Sequence, residues 1–155
     1  MIPSSKTDFI AHEPWKSERP ETLVVCCSDG RWHAQVEEFI RQQISARADM
    51  YAVPGGPAGF SLWTSIFEEG KGLERAFHFL AAHHNLKSTW LIAHQSCAYY
   101  SIKYSGTHDE NAIRKRQLED LEFARKTISR WRGEMIIKKV YAHRDESRVI
   151  FSIVD

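Results

Sequence analysis

The sequence predicts an α/β fold of three layers: a mostly parallel β-sheet flanked by helices, closed by a C-terminal antiparallel strand pair. Three observations point there. Continuous apolar runs of strand length, TLVVCC, MYAV and STWLIA, alternate along the chain with segments whose apolar residues recur at helical spacing. Runs without polar alternation suit strands covered on both faces, as in a parallel sheet, and strand–helix alternation places helices on those faces. The last stretch differs, because MIIKKVYAH and RVIFSIVD are separated only by RDES, a turn-sized gap that joins antiparallel neighbours.

Taken in order, residues 1–20 are polar, carry Pro3, Pro14 and Pro20, and hold isolated large apolar side chains at Phe9, Ile10 and Trp15. A polar arm has no core of its own for such residues, so it is expected to pack on a partner subunit. Residues 21–155 are then a single α/β domain. TLVVCC is the first strand. From Trp32 to Arg47, Val36, Phe39, Ile40 and Ile44 mark one face of a helix. MYAV is a second strand that ends in PGGPAGF, where Gly55, Gly56 and Gly59 permit conformations other residues resist, and a loop of backbone amides is expected. KGLERAFHFLAAHH repeats the helical pattern through Leu73, Ala76, Phe77 and Leu80, and STWLIA is a third strand ending at His94. A long helix follows, with Ile113, Leu121, Ala124, Ile128 and Trp131 on one side and Gly133 as its stop.

Composition narrows the function. At 155 residues the chain can bury a core without disulfide staples. Lys plus Arg number 21 against 20 for Asp plus Glu, a balance that gives no electrostatic case for nucleic acid or an anionic membrane. Three cysteines, two of them adjacent, make a poor disulfide framework and suit a reducing compartment. No window approaches the roughly 18 apolar residues of a membrane helix, nor is there a stretch of signal-peptide type, so a soluble, cytoplasmic protein is expected.

In open parallel sheets ligands bind beyond the carboxyl ends of the strands, where successive loops converge. CSDGR, PGGPAGF and HQSC all fall on that edge. HQSC puts His94 and Cys97 near enough to hold one metal ion from a turn, and Cys27 supplies a third ligand if the first strand lies beside the third. Two thiolates, one imidazole and an open position describe a catalytic zinc site better than a structural one, which needs four protein ligands.

These residues resemble the β-class carbonic anhydrase family, which carries Cys-x-Asp-x-Arg after its first strand, here Cys27, Asp29 and Arg31, and His-x-x-Cys after its third, here His94 and Cys97. The likeness covers roughly residues 21 to 155. It implies that Cys27, His94 and Cys97 hold Zn²⁺, and that zinc-bound hydroxide converts carbon dioxide reversibly to bicarbonate. It also implies a catalytic pair, with Asp29 orienting the attacking water and Arg31 restraining Asp29, and assembly as a dimer or higher homo-oligomer. Either Asp29 or water then occupies the fourth zinc position. Gly55, Gly56, Ala58 and Gly59 would form the substrate-side wall.

Several positions depart from the pattern. Ala93 and Ala98 stand where the family usually has glycine, VPGGPAGF replaces an Arg-Asn-Ala-Gly run, and Tyr99 and Tyr100 follow the last ligand directly. These departures leave open a catalytically inactive or repurposed zinc domain that binds a small ligand or partner, or one that hydrolyses another small electrophile. Other readings are plainer. Alternation turns Cys26 away from Cys27 into the core. Asp29 with Arg31 can be a loop salt bridge, and His33 either relays protons or is an ordinary histidine at a helix start. His83 and His84 suit a helix C-terminus. PGGPAGF is a turn or a phosphate cradle, although it lacks the Gly-Lys-Ser/Thr ending of a P-loop.

Overall fold

A computed structural model describes residues 9–60, 67–103 and 108–155. Strands β1 (Thr22–Cys27), β2 (Asp49–Val53), β3 (Ser88–His94), β4 (Ile136–Asp145) and β5 (Arg148–Val154) form a single sheet in the order β2-β1-β3-β4-β5. The first four run parallel and β5 returns antiparallel to β4, with Asp145 opposite Arg148. The turn between them is shorter than RDES suggested: β4 runs through Asp145, and Glu146 takes a positive φ of 56° to reverse the chain within two residues.

Alternation along the strands divides the core into two faces. Leu23, Val25, Leu91 and Ala93 point toward α2 (Phe67–His84) and the long helix at Glu110–Trp131, where they pack on Leu73, Phe77, Ala81, Leu121, Ala124 and Ile128. Val24, Cys26, Ile92, Val140 and Ala142 point the other way, onto Trp32, Val36 and Ile40 of α1 (His33–Phe39) and its continuation. The three layers expected from the sequence result. Cys26, 2% exposed, sits in the α1-side core as alternation required.

Three local features depart from the expected pattern. The helix after β1 is regular only to Phe39, then continues as a wider π-type turn over Ile40–Ile44. PGGPAGF is no open loop, since Gly56–Phe60 is a turn of 3₁₀ helix with Gly56, Pro57, Ala58 and Phe60 buried. A six-residue helix, α3 (Ala98–Lys103), follows HQSC directly, and α4 (Glu110–Trp131) then begins behind Asp109, whose carboxylate accepts from the Asn111 amide. Pro3 and the rest of residues 1–8 lie outside the described residues. Of the arm, Phe9, Ile10 and Trp15 are among the most exposed large apolar side chains described, at 82–87%.

Candidate metal centre

The register places the ends of β1 and β3 side by side, because Val25 lies opposite Leu91. Cys27 and His94 therefore finish adjacent strands, and a tight turn brings Cys97 back to them. That turn needs a left-handed residue, which is Ser96 at φ 56°. It is pinned on two sides: the Gln95 amide donates to Ala142 O at 2.8 Å and the Arg144 amide to Gln95 Oε1 at 3.0 Å, while Glu110 accepts from Ser96 N and Oγ.

Cys27 Sγ and Cys97 Sγ lie 3.9 Å apart, and one ligand atom from each of Cys27, His94 and Cys97 falls within 4.8 Å of the others. Tetrahedral zinc with Zn–S near 2.3 Å holds two sulfurs about 3.8 Å apart, so the spacing fits. The histidine fits as well. Its Nδ1–H donates to Gln95 O at 2.8 Å, which leaves the lone pair on Nε2, and that buried nitrogen has no protein partner. Gln117 Nε2 holds the His94 carbonyl at 2.8 Å. Burying a polar nitrogen without a partner is costly, and a bound cation removes the cost.

The two thiols perturb each other's protonation. A hydrogen bond from the Cys97 thiol lowers the Cys27 pKa to about 4, against burial, with help from the backbone amides of Asp29 and Gly55. Cys97 is pushed upward by the same bond, then by burial and by the neighbouring thiolate. The pair therefore gives up one proton readily and resists losing the second until a cation offsets the charge. Burial pushes Cys26 up to about 12, which leaves it an inert thiol beside the site.

Asp29 and Arg31 form a clamped pair at the mouth. Arg31 Nε donates to both carboxylate oxygens at 3.0 Å, Nη2 to Oδ2, and the Arg31 amide to Oδ1 at 3.1 Å. Chiefly through those side-chain bonds the Asp29 pKa falls from its ordinary 3.8 to about 2, so the carboxylate is an acceptor at any working pH. His33, the sequence candidate for a relay, has its Nε2 on the Cys27 carbonyl at 3.2 Å.

The glycine segment lies beneath the ligands. The Gly55 amide faces the Cys27 sulfur, and a Cβ on Gly55, at φ 74°, would sit 2.4 Å from Tyr99 Cδ1. A Cβ on Gly56, at φ 52°, would meet the backbone of Cys26 and Cys27 at 2.7 and 2.8 Å. Ala58 is fully buried beside Cys27, Cys97, Tyr100 and Ile113, and Gly59 abuts Leu73. Tyr100 is buried too, its hydroxyl donating to Asp120 Oδ2 at 2.9 Å. His84 is engaged elsewhere, with Asp49 at the start of β2. Sequence reasoning passed over Trp32, whose ring lies beside His94 with centroids 4.8 Å apart and planes tilted by 37°. Its position directly after Asp29–Gly30–Arg31 was the available signal.

Solved structures share this architecture. The carbonic anhydrase of Streptococcus mutans superposes with a TM-score of 0.58 at 13% identity, over 92% of this chain and 87% of that one. The β-carbonic anhydrase CafA of Aspergillus fumigatus gives 0.55 at 12% identity, over 89% and 76%. One of two tetrameric β-carbonic anhydrases from Sordaria macrospora gives 0.52 at 14% identity, over 89% and 84%. The chain has the β-carbonic anhydrase fold. No protein-family model matches the sequence, nor does any curated protein. Among the described residues, no helix is long and apolar enough to cross a membrane. On the β-carbonic anhydrase fold, Cys27, His94 and Cys97 occupy the strand-end edge where their sequence motifs placed them.

Proposed function

We propose that the chain is a zinc-dependent enzyme that interconverts carbon dioxide and bicarbonate. The observation that carries the reading is the buried, partnerless Nε2 of His94 beside two thiols at zinc-like spacing, with an ionised carboxylate clamped nearby. Zinc held by Cys27, His94 and Cys97 would act as a Lewis acid, bringing a water to nucleophilic strength near neutral pH.

This chain's own residues do the rest. Asp29, ionised and acceptor-only, takes a hydrogen bond from the attacking water and so aims its lone pair at the carbon. Arg31 occupies both Asp29 oxygens and keeps the carboxylate from swinging onto the metal. Water and carbon dioxide give bicarbonate and one proton, which leaves toward solvent. The segment Gly55–Gly59 backs the ligands and forms part of the site wall.

Residues 21–155 act as one zinc-binding domain in this reading, and the arm of residues 1–20 packs on a second copy in a dimer or larger assembly. Its support is the exposure of Phe9, Ile10 and Trp15 and the tetrameric state of the Sordaria proteins that share the fold. The need for reduced ligand thiols suits the cytoplasm. A second reading, a zinc domain without turnover, is favoured by the Tyr99 ring packed against Gly55 on the flank of the site.

Stopped-flow hydration of carbon dioxide above pH 8 decides between them. Zinc-loaded protein should exceed buffer, and Asp29→Asn should lose at least tenfold while keeping its zinc, the scale of a lost orienting group. Zinc-loaded wild-type protein no faster than buffer would select the second reading.

A further inference from the structure

Trp32 belongs to neither catalytic motif, yet its ring lies against the His94 imidazole. Its ring plane is tilted 37° from the imidazole, with centroids 4.8 Å apart, and it is only 6% exposed. Trp32 is anchored by its backbone and buried in the core. Its amide donates to Asp29 O at 3.1 Å, its carbonyl accepts from Val36 N at 2.9 Å, and its ring is packed among Val24, Cys26, Ile92 and Val140.

A histidine ring turns about two bonds. The Nδ1–H bond to Gln95 O fixes one edge, and by itself leaves the ring free to rock about that bond. A planar wall against one face removes the remaining freedom.

We propose that Trp32 is a positioning residue for the metal centre: its indole face holds the His94 ring so that Nε2 points at Cys27 and Cys97. This rests on the reading that these three residues bind a metal. The segment 29–32 then supplies the carboxylate, its clamp and the plate that aligns a ligand from another strand.

Cobalt(II) tests it, because its visible d–d bands report ligand geometry and its near-ultraviolet bands report thiolate bonding. Trp32→Phe keeps a planar face, whereas Trp32→Met fills comparable volume without one. Full-length wild-type protein and Trp32→Phe should bind Co²⁺ with affinities within about threefold and with the same d–d bands. Trp32→Met should bind about tenfold or more weakly, with altered bands, the usual scale for a lost outer partner of a ligand histidine. A merely structural role would lower the thermal midpoint of both metal-free variants without separating their bands.

The proposal is overturned if Trp32→Met retains affinity and bands, or if Trp32→Phe loses as much as Trp32→Met. A second measurement needs no Met variant. The emission that wild type has and Trp32→Phe lacks should be quenched when Co²⁺ binds, and emission unchanged at saturation would overturn the contact. Failure of wild type to bind Co²⁺ would instead refute the metal reading.

Discussion

Replacing Gly56 by alanine tests whether the glycine segment supports the metal ligands from beneath. The residue has φ 52°, and an added Cβ would lie 2.7 Å from Cys26 C and 2.8 Å from Cys27 N. Both atoms are backbone of β1, a central strand paired on each side, so neither can swing away. A left-handed conformation costs an L-residue about 1–2 kcal/mol. Overpacking a tight contact adds roughly 1–3 kcal/mol, and the two together give about 2–5 kcal/mol, a large share of the roughly 5–15 kcal/mol that holds a domain folded. At about 2–4 °C per kcal/mol for a chain of this size, the thermal midpoint should fall by about 4–20 °C. Gly30→Ala is the control, because nothing lies within 4 Å of its Cβ position, and it should stay within about 0.5 kcal/mol of wild type. Thermal unfolding of the metal-free proteins reads both. Relief of the clash must also push the end of β1, so zinc affinity should drop in Gly56→Ala. A midpoint equal to that of Gly30→Ala would refute the packing argument.

Tyr100→Phe removes a hydroxyl that donates to the 2%-exposed carboxylate of Asp120, and should cost about 1.5–3 kcal/mol in thermal or urea unfolding, as bonds to charged groups do. Arg31→Ala should remove a pH-dependent part of the stability. Asp29 has a folded pKa of about 2 against 3.8, so the pair's contribution is present above pH 4 and is lost as pH falls toward 2. The gap in urea midpoint between wild type and Arg31→Ala should thus be largest near neutrality, shrink on acidification and shrink with salt, since Arg31 is exposed. A gap that widens in acid would contradict the assignment.

Much of the fold was legible because its central strands, β1 and β3, bury both faces, whereas MYAV proved to be an edge strand of alternating burial, with Met50 39% exposed. TLVVCC and STWLIA can be little else, and strict alternation alone separated Cys26 from Cys27. The clustering of Cys27, His94 and Cys97 was legible for a related reason: parallel strands deliver their ends to one edge, so motifs far apart in sequence meet there. What escaped is set by contacts between segments. Trp32 reads as the start of an amphipathic helix, and only the β1–β3 register puts it on His94. The 3₁₀ turn at Gly56–Phe60 follows from a close approach to β1 that no local pattern encodes. Helix α3 is six residues long, too short for periodicity to declare itself. His84 ends α2 as expected, but its contact with Asp49, 35 residues away, has no local signature.

Zinc titration of the purified chain, followed by metal analysis and thermal unfolding, tests the central claim most directly. A single zinc ion should bind per chain in wild type and in Cys26→Ala, and at free zinc a hundredfold above its dissociation constant it should add about 2.7 kcal/mol of stability. Cys27→Ala, His94→Ala and Cys97→Ala should each lose that ion. Wild-type protein that folds normally yet takes up no zinc, or a Cys97→Ala protein that holds it as tightly as wild type, would contradict the account.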